Sequence, residues 1–426
     1  MRVVNRLAVT AALGFAAYAL TYCPPSFGQA VSTTPTPVPD GKEVKKVVET
    51  PKPPEPRFKI YGWIEGGITG NPDSPIDNHN FGHLFTDRAN EPLLNQVSLV
   101  GERALDPNAT GFDWGFKIWA MEGSDARYTK ATGMLDLLTN DRIQFDFPEV
   151  SASFHIPIGS TGGLDLKLGK YQDLSSAETT DPRTNVFYSH SYIFNFGIPL
   201  THLGGLAIFH VNKYLDLYFG LDRGENVAFT DNNGSIAIEA GVGLNLLDGN
   251  LTILGLSHIG PENPDNNHDY RYESDITTTW KITKALTSIT DTNLIYDESI
   301  SAWGGGVAQY LTYAVNDWLI LGVRGEIWRD AENFYVAQFR ANNDFIHILR
   351  GDSVAPDPST FGGGKTTYLE VTGGVTIKPP VPKPLAGLLI RPEVRYDRAL
   401  TDAFSPFDQH TDRDQWTLGL DVVLQF

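Results

Sequence analysis

Residues 415–426 read QWTLGLDVVLQF, and this stretch decides the fold class. Every even-numbered position of the stretch carries an apolar or aromatic side chain, at Trp416, Leu418, Leu420, Val422, Leu424 and Phe426. The odd-numbered positions are mostly polar or Gly, with Gln415, Thr417, Gly419, Asp421 and Gln425, and Val423 is the exception. Because side chains alternate between the two faces of a strand, the stretch predicts a β-strand with one apolar face and one polar face.

The aromatic residue at the end of this strand is a second indication. A final strand that closes on a carboxy-terminal Phe, here Phe426, resembles the signal by which outer-membrane β-barrels are recognised and inserted. The alternating residues from Trp416 to Phe426 are therefore predicted to form a membrane-insertion signal. Its predicted partner is the outer-membrane assembly machinery.

The first thirty residues predict export. Arg2 and Arg6 precede the apolar stretch 7–20, and residues 28–30 offer small side chains for cleavage after Ala30. The apolar stretch is too short for a transmembrane helix and has the flanks of a secretory signal peptide. Residues 1–30 are predicted to be removed.

Composition and charge restrict the function of the exported chain. Cleavage removes Cys23, the single cysteine, and with it disulfide or thiol chemistry. Lipidation of Cys23 is an alternative, which Tyr22 disfavours because such a site needs a small residue there. The formal charge of −18 becomes −20 without Arg2 and Arg6, so nucleic acid is not an expected partner.

Two segments follow the signal peptide. Residues 31–56 are rich in Pro and Lys without a hydrophobic period, which predicts an extended periplasmic linker, with a tether to the cell wall as the alternative. Residues 57–426 contain sixteen candidate strands and no apolar run long enough for a helical span. The predicted fold class is all-β, a transmembrane antiparallel up-and-down β-barrel. Fourteen or eighteen strands remain open, since 297–302 is a short connection and 329–365 could contain another strand.

Charges on the strands favour a barrel over a soluble sandwich. Arg391, Glu393, Arg395 and Asp397 occupy one face of the fifteenth strand. Such a row is difficult to place in a packed core and easy to place in a water-filled lumen. Short turns also alternate with long loops along the chain, as in bacterial barrels with short periplasmic turns.

The number of strands sets the expected function. Barrels of sixteen to eighteen strands leave an aqueous channel, which predicts passive diffusion of small hydrophilic solutes. Parity assigns these residues to the pore lining: Asp113, Lys117, Asp165, Lys167, Asp216, Glu239, Arg324, Glu326, Arg391, Glu393, Arg395 and Asp397, with Lys59, Glu65, Asp275, Asp291 and Glu370 on the same face. Acidic residues outnumber basic ones in this set, which predicts a mild preference for cations.

Two features of the lumen have alternative interpretations. The row from Arg391 to Asp397 could form the transverse field of a constriction or a salt-bridge ladder that rigidifies the wall. The third long loop, 172–203, could fold into the lumen and narrow it, or pack over the mouth of the barrel.

The segment around this loop is similar to a known family. Residues 166–178 read LKLGKYQDLSSAE, residues 186–205 read VFYSHSYIFNFGIPLTHLGG, and residues 61–65 read YGWIE. These motifs resemble the OmpL-like β-barrel porins, and the resemblance implies an outer-membrane porin fold over residues 57–426. One departure is Ser176-Ala177 before Glu178, where a glycine would be expected. The resemblance supplies neither a substrate nor functional residues.

Enzymatic and metal-binding functions have weaker support. Ser189-His190-Ser191 offers a nucleophile and a base, but adjacent residues of an extended segment point in opposite directions. The stretches 71–79 and 262–269 crowd oxygen ligands without the spacing of a calcium loop, so turns explain them better. No catalytic residue, metal or cofactor is predicted.

Aromatic residues are predicted to lie on the outer surface of the barrel. Trp114, Trp280, Trp303, Tyr313, Tyr396 and Trp416 are predicted to form interfacial aromatic girdles in contact with outer-membrane lipids. A homotrimer is possible, although no stripe of residues marks its interface. An anchoring or adhesion barrel and a substrate-specific channel remain the alternatives to a general porin.

Overall fold

The structure, a computed structural model, describes residues 57–136, 142–230, 232–336, 365–401 and 405–426. The predicted signal peptide and linker lie outside the described residues. So does most of 329–365, where an extra strand was an open alternative.

Sixteen antiparallel strands form a closed barrel in which each strand pairs with its neighbours in sequence and β1 pairs with β16. The strands are β1 (Phe58–Gly70), β2 (Pro92–Arg103), β3 (Asp113–Gly123), β4 (Gln144–Ile156), β5 (Gly163–Gln172), β6 (Thr201–Asn212), β7 (Leu215–Asp222), β8 (Ala237–Leu246), β9 (Leu251–Gly260), β10 (Arg271–Lys281), β11 (Leu286–Asp297), β12 (Ala302–Asn316), β13 (Leu319–Asp330), β14 (Thr366–Ile377), β15 (Gly387–Ala399) and β16 (Asp414–Gln425). The predicted all-β barrel of sixteen strands is confirmed.

The alternation of β16 places its two sets of side chains as predicted. Trp416, Leu418, Leu420 and Val422 are exposed on the outside, whereas the alternate residues, such as Asp421, are buried inside. The closed barrel leaves no unpaired sheet edge, and its outward face on β16 is apolar. Both properties are those of a barrel that contacts lipid.

The last residue also takes part in closing the barrel. Phe426 follows β16 and exchanges two backbone hydrogen bonds with Gly62 of β1, at 2.9 and 3.0 Å. Its side chain is exposed on the outside, and that of Leu424 is half-buried. The pairing of β1 with β16 therefore extends to the end of the quoted stretch.

Connections of two lengths define the two ends of the barrel. The short-turn end carries 104–112, 157–162, 213–214, 247–250, 282–285, 317–318 and 378–386. The long-loop end carries 71–91, 124–143, 173–200, 223–236, 261–270, 298–301, 331–365 and 400–413. The predicted alternation is confirmed, and 298–301 is the short exception at the long-loop end.

Among the described residues, helical structure is limited to single turns. They are an α-helix, Ala126–Thr129, a π-helix, Ile193–Gly197, and the 3-10 turns Leu247–Gly249 and Asp408–His410. Within the described ranges no helix is long and apolar enough to cross a membrane.

Candidate functional site

The connection between β5 and β6, residues 173–200, lies inside the barrel and is named here the inner segment. The Ser176 hydroxyl donates to Asp291 Oδ2 at 2.8 Å, and the backbone N–H of Tyr188 donates to Glu393 Oε2 at 2.8 Å. The backbone N–H of Tyr192 donates to Glu326 Oε2 at 2.7 Å. The acceptors are inward side chains of β11, β15 and β13. Of the two interpretations of loop 172–203, the structure supports the one in the lumen.

An ion-pair network holds the inner segment to β13 and β14. Arg324 Nη1 lies 2.6 Å from Glu178 Oε1 and donates to the carbonyl of Ser189 at 2.9 Å. Arg324 Nε lies 3.0 Å from Glu370 Oε2. Although burial opposes ionisation, the Arg324 guanidinium and a hydrogen bond from His190 lower the pKa of Glu178 to about 2. Glu178 is therefore a buried anion at neutral pH.

The row on β15 takes part in the same attachment. Arg391 bonds to Asp421 on β16 and donates to the carbonyl of Pro182 at 2.7 Å. Arg395 pairs with Asp397 at 2.8 Å and donates to the carbonyl of His190. These side chains are buried. The structure thus favours a salt-bridge ladder that also binds the inner segment, rather than a transverse field in open water.

Apolar side chains fill the interior beside the inner segment. Its buried aromatic and aliphatic residues pack against four other long loops and the inward face of β11–β15. The cluster includes Leu84, Phe85, Tyr128, Phe187, Tyr192, Ile193, Phe194, Phe196, Ile198, Leu200, Ile295, Tyr310, Trp328, Tyr335 and Tyr368. Sequence reasoning missed this cluster, although the run YIFNFGIPL, too apolar for a loop in water, is the signal that could have shown it.

Charged side chains keep contact with water on β3–β7. Lys117 lies 2.9 Å and Lys167 3.3 Å from Glu149 of β4. The side chains of Lys117, Lys167, Asp165 and Asp216 are 31%, 30%, 29% and 30% exposed. These four residues and Glu149 are named the open patch.

His210 connects the two aspartates of the open patch. Its ring lies 3.3 Å from Asp165 and 2.7 Å from Asp216. The two aspartates are therefore joined through His210 across β5, β6 and β7.

Two other residues assigned by parity lie elsewhere. Asp113 begins β3 at the short-turn end, is buried, and is paired with Arg103 at 2.9 Å and with Arg57. Glu239 on β8 is buried beside the Tyr171 hydroxyl, at 3.5 Å. Neither residue is part of the open patch.

The residues of the Ser189-His190-Ser191 motif take part in the same attachment of the inner segment. The His190 ring lies 2.9 Å from Glu178 Oε2, and the backbone N–H of Ser191 donates to the same oxygen at 3.0 Å. The Ser189 hydroxyl accepts a hydrogen bond from Arg324 at 3.2 Å. These contacts stabilise the conformation of the loop.

The outer surface carries the predicted aromatic residues. Trp114, Trp280, Trp303, Tyr313 and Trp416 are exposed. Tyr396 is half-buried, and its ring centroid lies 4.7 Å from that of Trp416. They lie at strand ends, where interfacial girdles form in membrane barrels.

A histidine and carboxylate cluster lies on the inside of β6–β10 near the long-loop end. His202, Asp222 and His258 form one group whose candidate donor atoms lie within 4.8 Å of one another, and Glu225, His258 and Glu273 form another. Sequence reasoning missed both groups. The available signal was the inward parity of His258 and Glu273, which the register places opposite each other on β9 and β10.

Comparison with known families decides the classification. The model described as "Putative beta-barrel porin-2, OmpL-like" matches residues 57–426. The chain belongs to this OmpL-like porin family. None of the curated proteins matches it.

Two solved structures have a similar barrel fold. The anion-selective porin from Comamonas acidovorans is 10% identical with a TM-score of 0.52, over 87% of this chain and 99% of that one. Pseudomonas putida OprB, in a high-pH structure, is 13% identical with a TM-score of 0.52, over 87% of this chain and 94% of that one. At these identities the likeness shows the shared fold alone.

Proposed function

We propose that this OmpL-like porin is a passive channel of the outer membrane for small hydrophilic solutes, and not an enzyme. The observation that carries the proposal is the asymmetry of the interior. The inner segment covers the inward face of β10–β15, named the covered wall. The two lysines and two aspartates of the open patch on β3–β7 keep contact with water, and Glu149 is their buried partner. Solutes would pass beside the open patch.

Charge selectivity would depend on the open patch. Its two lysines, Lys117 and Lys167, lie with three carboxylates, those of Glu149, Asp165 and Asp216. Selectivity in channels depends on charges that line the narrow zone, and this set has a formal excess of one negative charge with His210 neutral. We expect a mild preference for cations.

Planar-bilayer conductance of the purified, refolded protein tests both statements. Stable current steps of reproducible size would support an open pore. A reversal potential under a KCl gradient would then give the sign of the selectivity, and a preference for anions would contradict the role proposed for the open patch. Silence from a folded barrel would contradict passive diffusion and favour an anchoring or adhesion function.

A substrate-specific channel is the second candidate, and the apolar cluster favours it. Aromatic side chains such as Tyr192 and Phe194 occupy interior volume that a wide general pore leaves to water. Blockage of the conductance by one class of solute, and by no other at equal concentration, would distinguish this candidate.

The proposed site of action is the outer membrane of a Gram-negative-type envelope. Support comes from the exposed apolar face of β16, the aromatic residues at strand ends and the family. Insertion by the outer-membrane assembly machinery through the residues from Trp416 to Phe426 is part of the proposal. The signal peptide, the linker and the homotrimer stay predictions, and the mass of the detergent-solubilised complex would test the last.

A further inference from the structure

Four buried side chains on the inside of β9 and β10 and in two adjoining loops each have a ligand atom without a hydrogen bond. The atoms are Glu225 Oε1, His258 Nδ1, Glu262 Oε1 and Glu273 Oε2. Each of these residues is 7% exposed or less, and no hydrogen-bond partner occurs among the residues that the structure describes. A buried polar atom without a partner costs free energy, so four in one place require a common explanation.

The four side chains converge. One donor atom from each of Glu225, His258 and Glu273 lies within 4.8 Å of the other two. Glu262 Oε1 lies 3.9 Å from His258 Nδ1. Ligand atoms bound at about 2.0–2.2 Å from a zinc ion are roughly 3–4 Å apart, so a contraction of about 1 Å would close the set around one ion.

In three of these side chains, the second nitrogen or oxygen atom already has a hydrogen-bond partner. The His258 Nε2 atom lies 3.1 Å from Asp222 Oδ1, while Glu225 Oε2 accepts from Arg271 at 2.6 Å. Glu262 Oε2 accepts from the backbone N–H of Glu225 at 2.7 Å. A carboxylate behind a histidine fixes the tautomer that leaves the other nitrogen free as a ligand, as is usual at metal sites.

The charge of the cluster is unbalanced without a cation. The carboxylates of Glu225, Glu262 and Glu273 are buried together, and the nearby Arg271 is shared with Asp297 at 2.9 Å. A divalent ion would balance the charge of these buried carboxylates and bind to the free ligand atoms.

We propose that Glu225, His258, Glu262 and Glu273 bind one divalent transition-metal ion of the Zn²⁺ or Mn²⁺ class. One imidazole with three carboxylates suits such ions better than Mg²⁺ or Ca²⁺, which take oxygen ligands. Glu225 and Glu262 belong to the long loops 223–236 and 261–270, whereas His258 and Glu273 belong to strands. The ion therefore fastens two loops to the inner wall.

Metal binding to the folded protein tests the proposal independently of channel activity. The refolded full chain in detergent is stripped with a chelator, dialysed, and titrated with Zn²⁺, Mn²⁺ or Ca²⁺ alone. We expect one equivalent of Zn²⁺ or Mn²⁺ by elemental analysis and calorimetry, with a higher Tm, and weaker binding of Ca²⁺. Glu273→Gln and Glu262→Gln each reduce the affinity by tenfold or more.

Asp275→Asn is the matched control. Asp275 lies two positions from Glu273 on the same face of β10, is buried, and also has a carboxylate oxygen without a hydrogen bond. This variant should keep the affinity within about twofold. Folding of each variant is checked by the gel shift on heating. If Glu273→Gln does not fold, the affinity of the loop variant Glu262→Gln decides whether the proposal holds.

Several results would overturn the proposal. They are the absence of stoichiometric Zn²⁺ or Mn²⁺ binding, tighter binding of Ca²⁺ than of both, unchanged affinity in the two glutamine variants, or an equal loss in Asp275→Asn. The last would mean that net interior charge, rather than a defined ligand set, collects the ion.

Discussion

The covered wall and the open patch carry similar residues with different consequences. Arg324 and Glu326 on β13 have the same inward parity as Lys117 on β3 and Asp165 on β5. The first two are buried and bonded to the inner segment, whereas the other two are about a third exposed. Parity therefore assigns a charge to the interior of a barrel, but a second layer of chain decides whether that charge meets water.

The covered wall also explains why so many carboxylates face inward. The inner segment is mostly irregular, so its backbone N–H groups have no ladder partners and need acceptors. Asp275, Asp291, Glu326 and Glu393 supply them, each accepting from at least one backbone N–H of residues 176–193. These acids stabilise a loop, whereas the lysines and aspartates of the open patch stay in contact with water.

Replacing Arg324 should have the largest effect on the attachment of the inner segment to the covered wall. Arg324→Met leaves the buried Glu178 carboxylate without its guanidinium partner, and losing one partner of a buried ion pair costs about 3–5 kcal/mol. We expect a lower urea midpoint of unfolding in detergent and larger, noisier current steps.

Arg398→Gln is the control for that change. Arg398 pairs with Asp414 at 2.9 Å, but the two side chains are 47% and 43% exposed. Surface pairs contribute about 0–1 kcal/mol, so this variant should unfold like the wild type. Equal losses in both variants would show that the buried network has no special role.

Acid should release the inner segment next. The folded pKa of Glu178 is about 2, below its ordinary value of 4.5, so its contribution is fully present above about pH 4.5. The contribution is lost as pH falls through about 2 and corresponds to about 3 kcal/mol. Urea midpoints from pH 6 to 2 measure it, and Glu178→Gln should show a shallower fall in the same window. Parallel curves would contradict the assignment.

Weakening the carboxylate acceptors should have an intermediate effect. Glu393→Gln keeps the shape of the side chain but removes the charge that accepts from the N–H groups of Tyr188 and Ser189. Hydrogen bonds to charged groups contribute about 1.5–3 kcal/mol, so we expect a loss of about 2 kcal/mol and higher conductance. Asp248→Asn, in the exposed short turn 247–250, removes an acidic charge away from the inner segment and is a suitable comparison. An equal rise in conductance there would argue against this mechanism.

The smallest effect on stability, and the clearest on selectivity, belongs to the open patch. Lys117→Gln should change the free energy of unfolding by less than about 1 kcal/mol and shift the reversal potential further toward cations. Asp216→Asn should shift it the opposite way. Lys213→Gln makes the same charge change in an exposed short turn, and a shift as large as that of Lys117→Gln would remove the patch from the permeation path.

Sequence patterns predict the barrel well because each strand carries its own signal. The alternation around Leu319–Ile327 lies on β13, and that around Leu388–Asp397 lies on β15. The register then follows from consecutive antiparallel pairing. Period, turn lengths and an even strand count predict sixteen strands, and the closed pairing in the structure decides against fourteen and eighteen.

The interior could not be predicted in the same way. Arg324 is correctly placed inside by parity, but its partner Glu178 lies in a segment with no period, so nothing local joins the two. His258 shares its cluster with residues from neighbouring strands and two loops, and only the register brings them together. Parity identifies candidates, and contacts across the sheet decide their roles.

The pairing of Trp63 on β1 with Gln425 on β16 has a consequence for how the chain folds. It joins the two most distant strands in sequence, and the entropy of closing a loop grows with its length. Every other strand pair joins strands that are consecutive in sequence, so the curved sheet can form while the edges of β1 and β16 are still unpaired. Until they meet, those edges are templates for pairing with other chains. We therefore expect closure of the barrel to be the slowest step of folding and the step before which aggregation is most favoured.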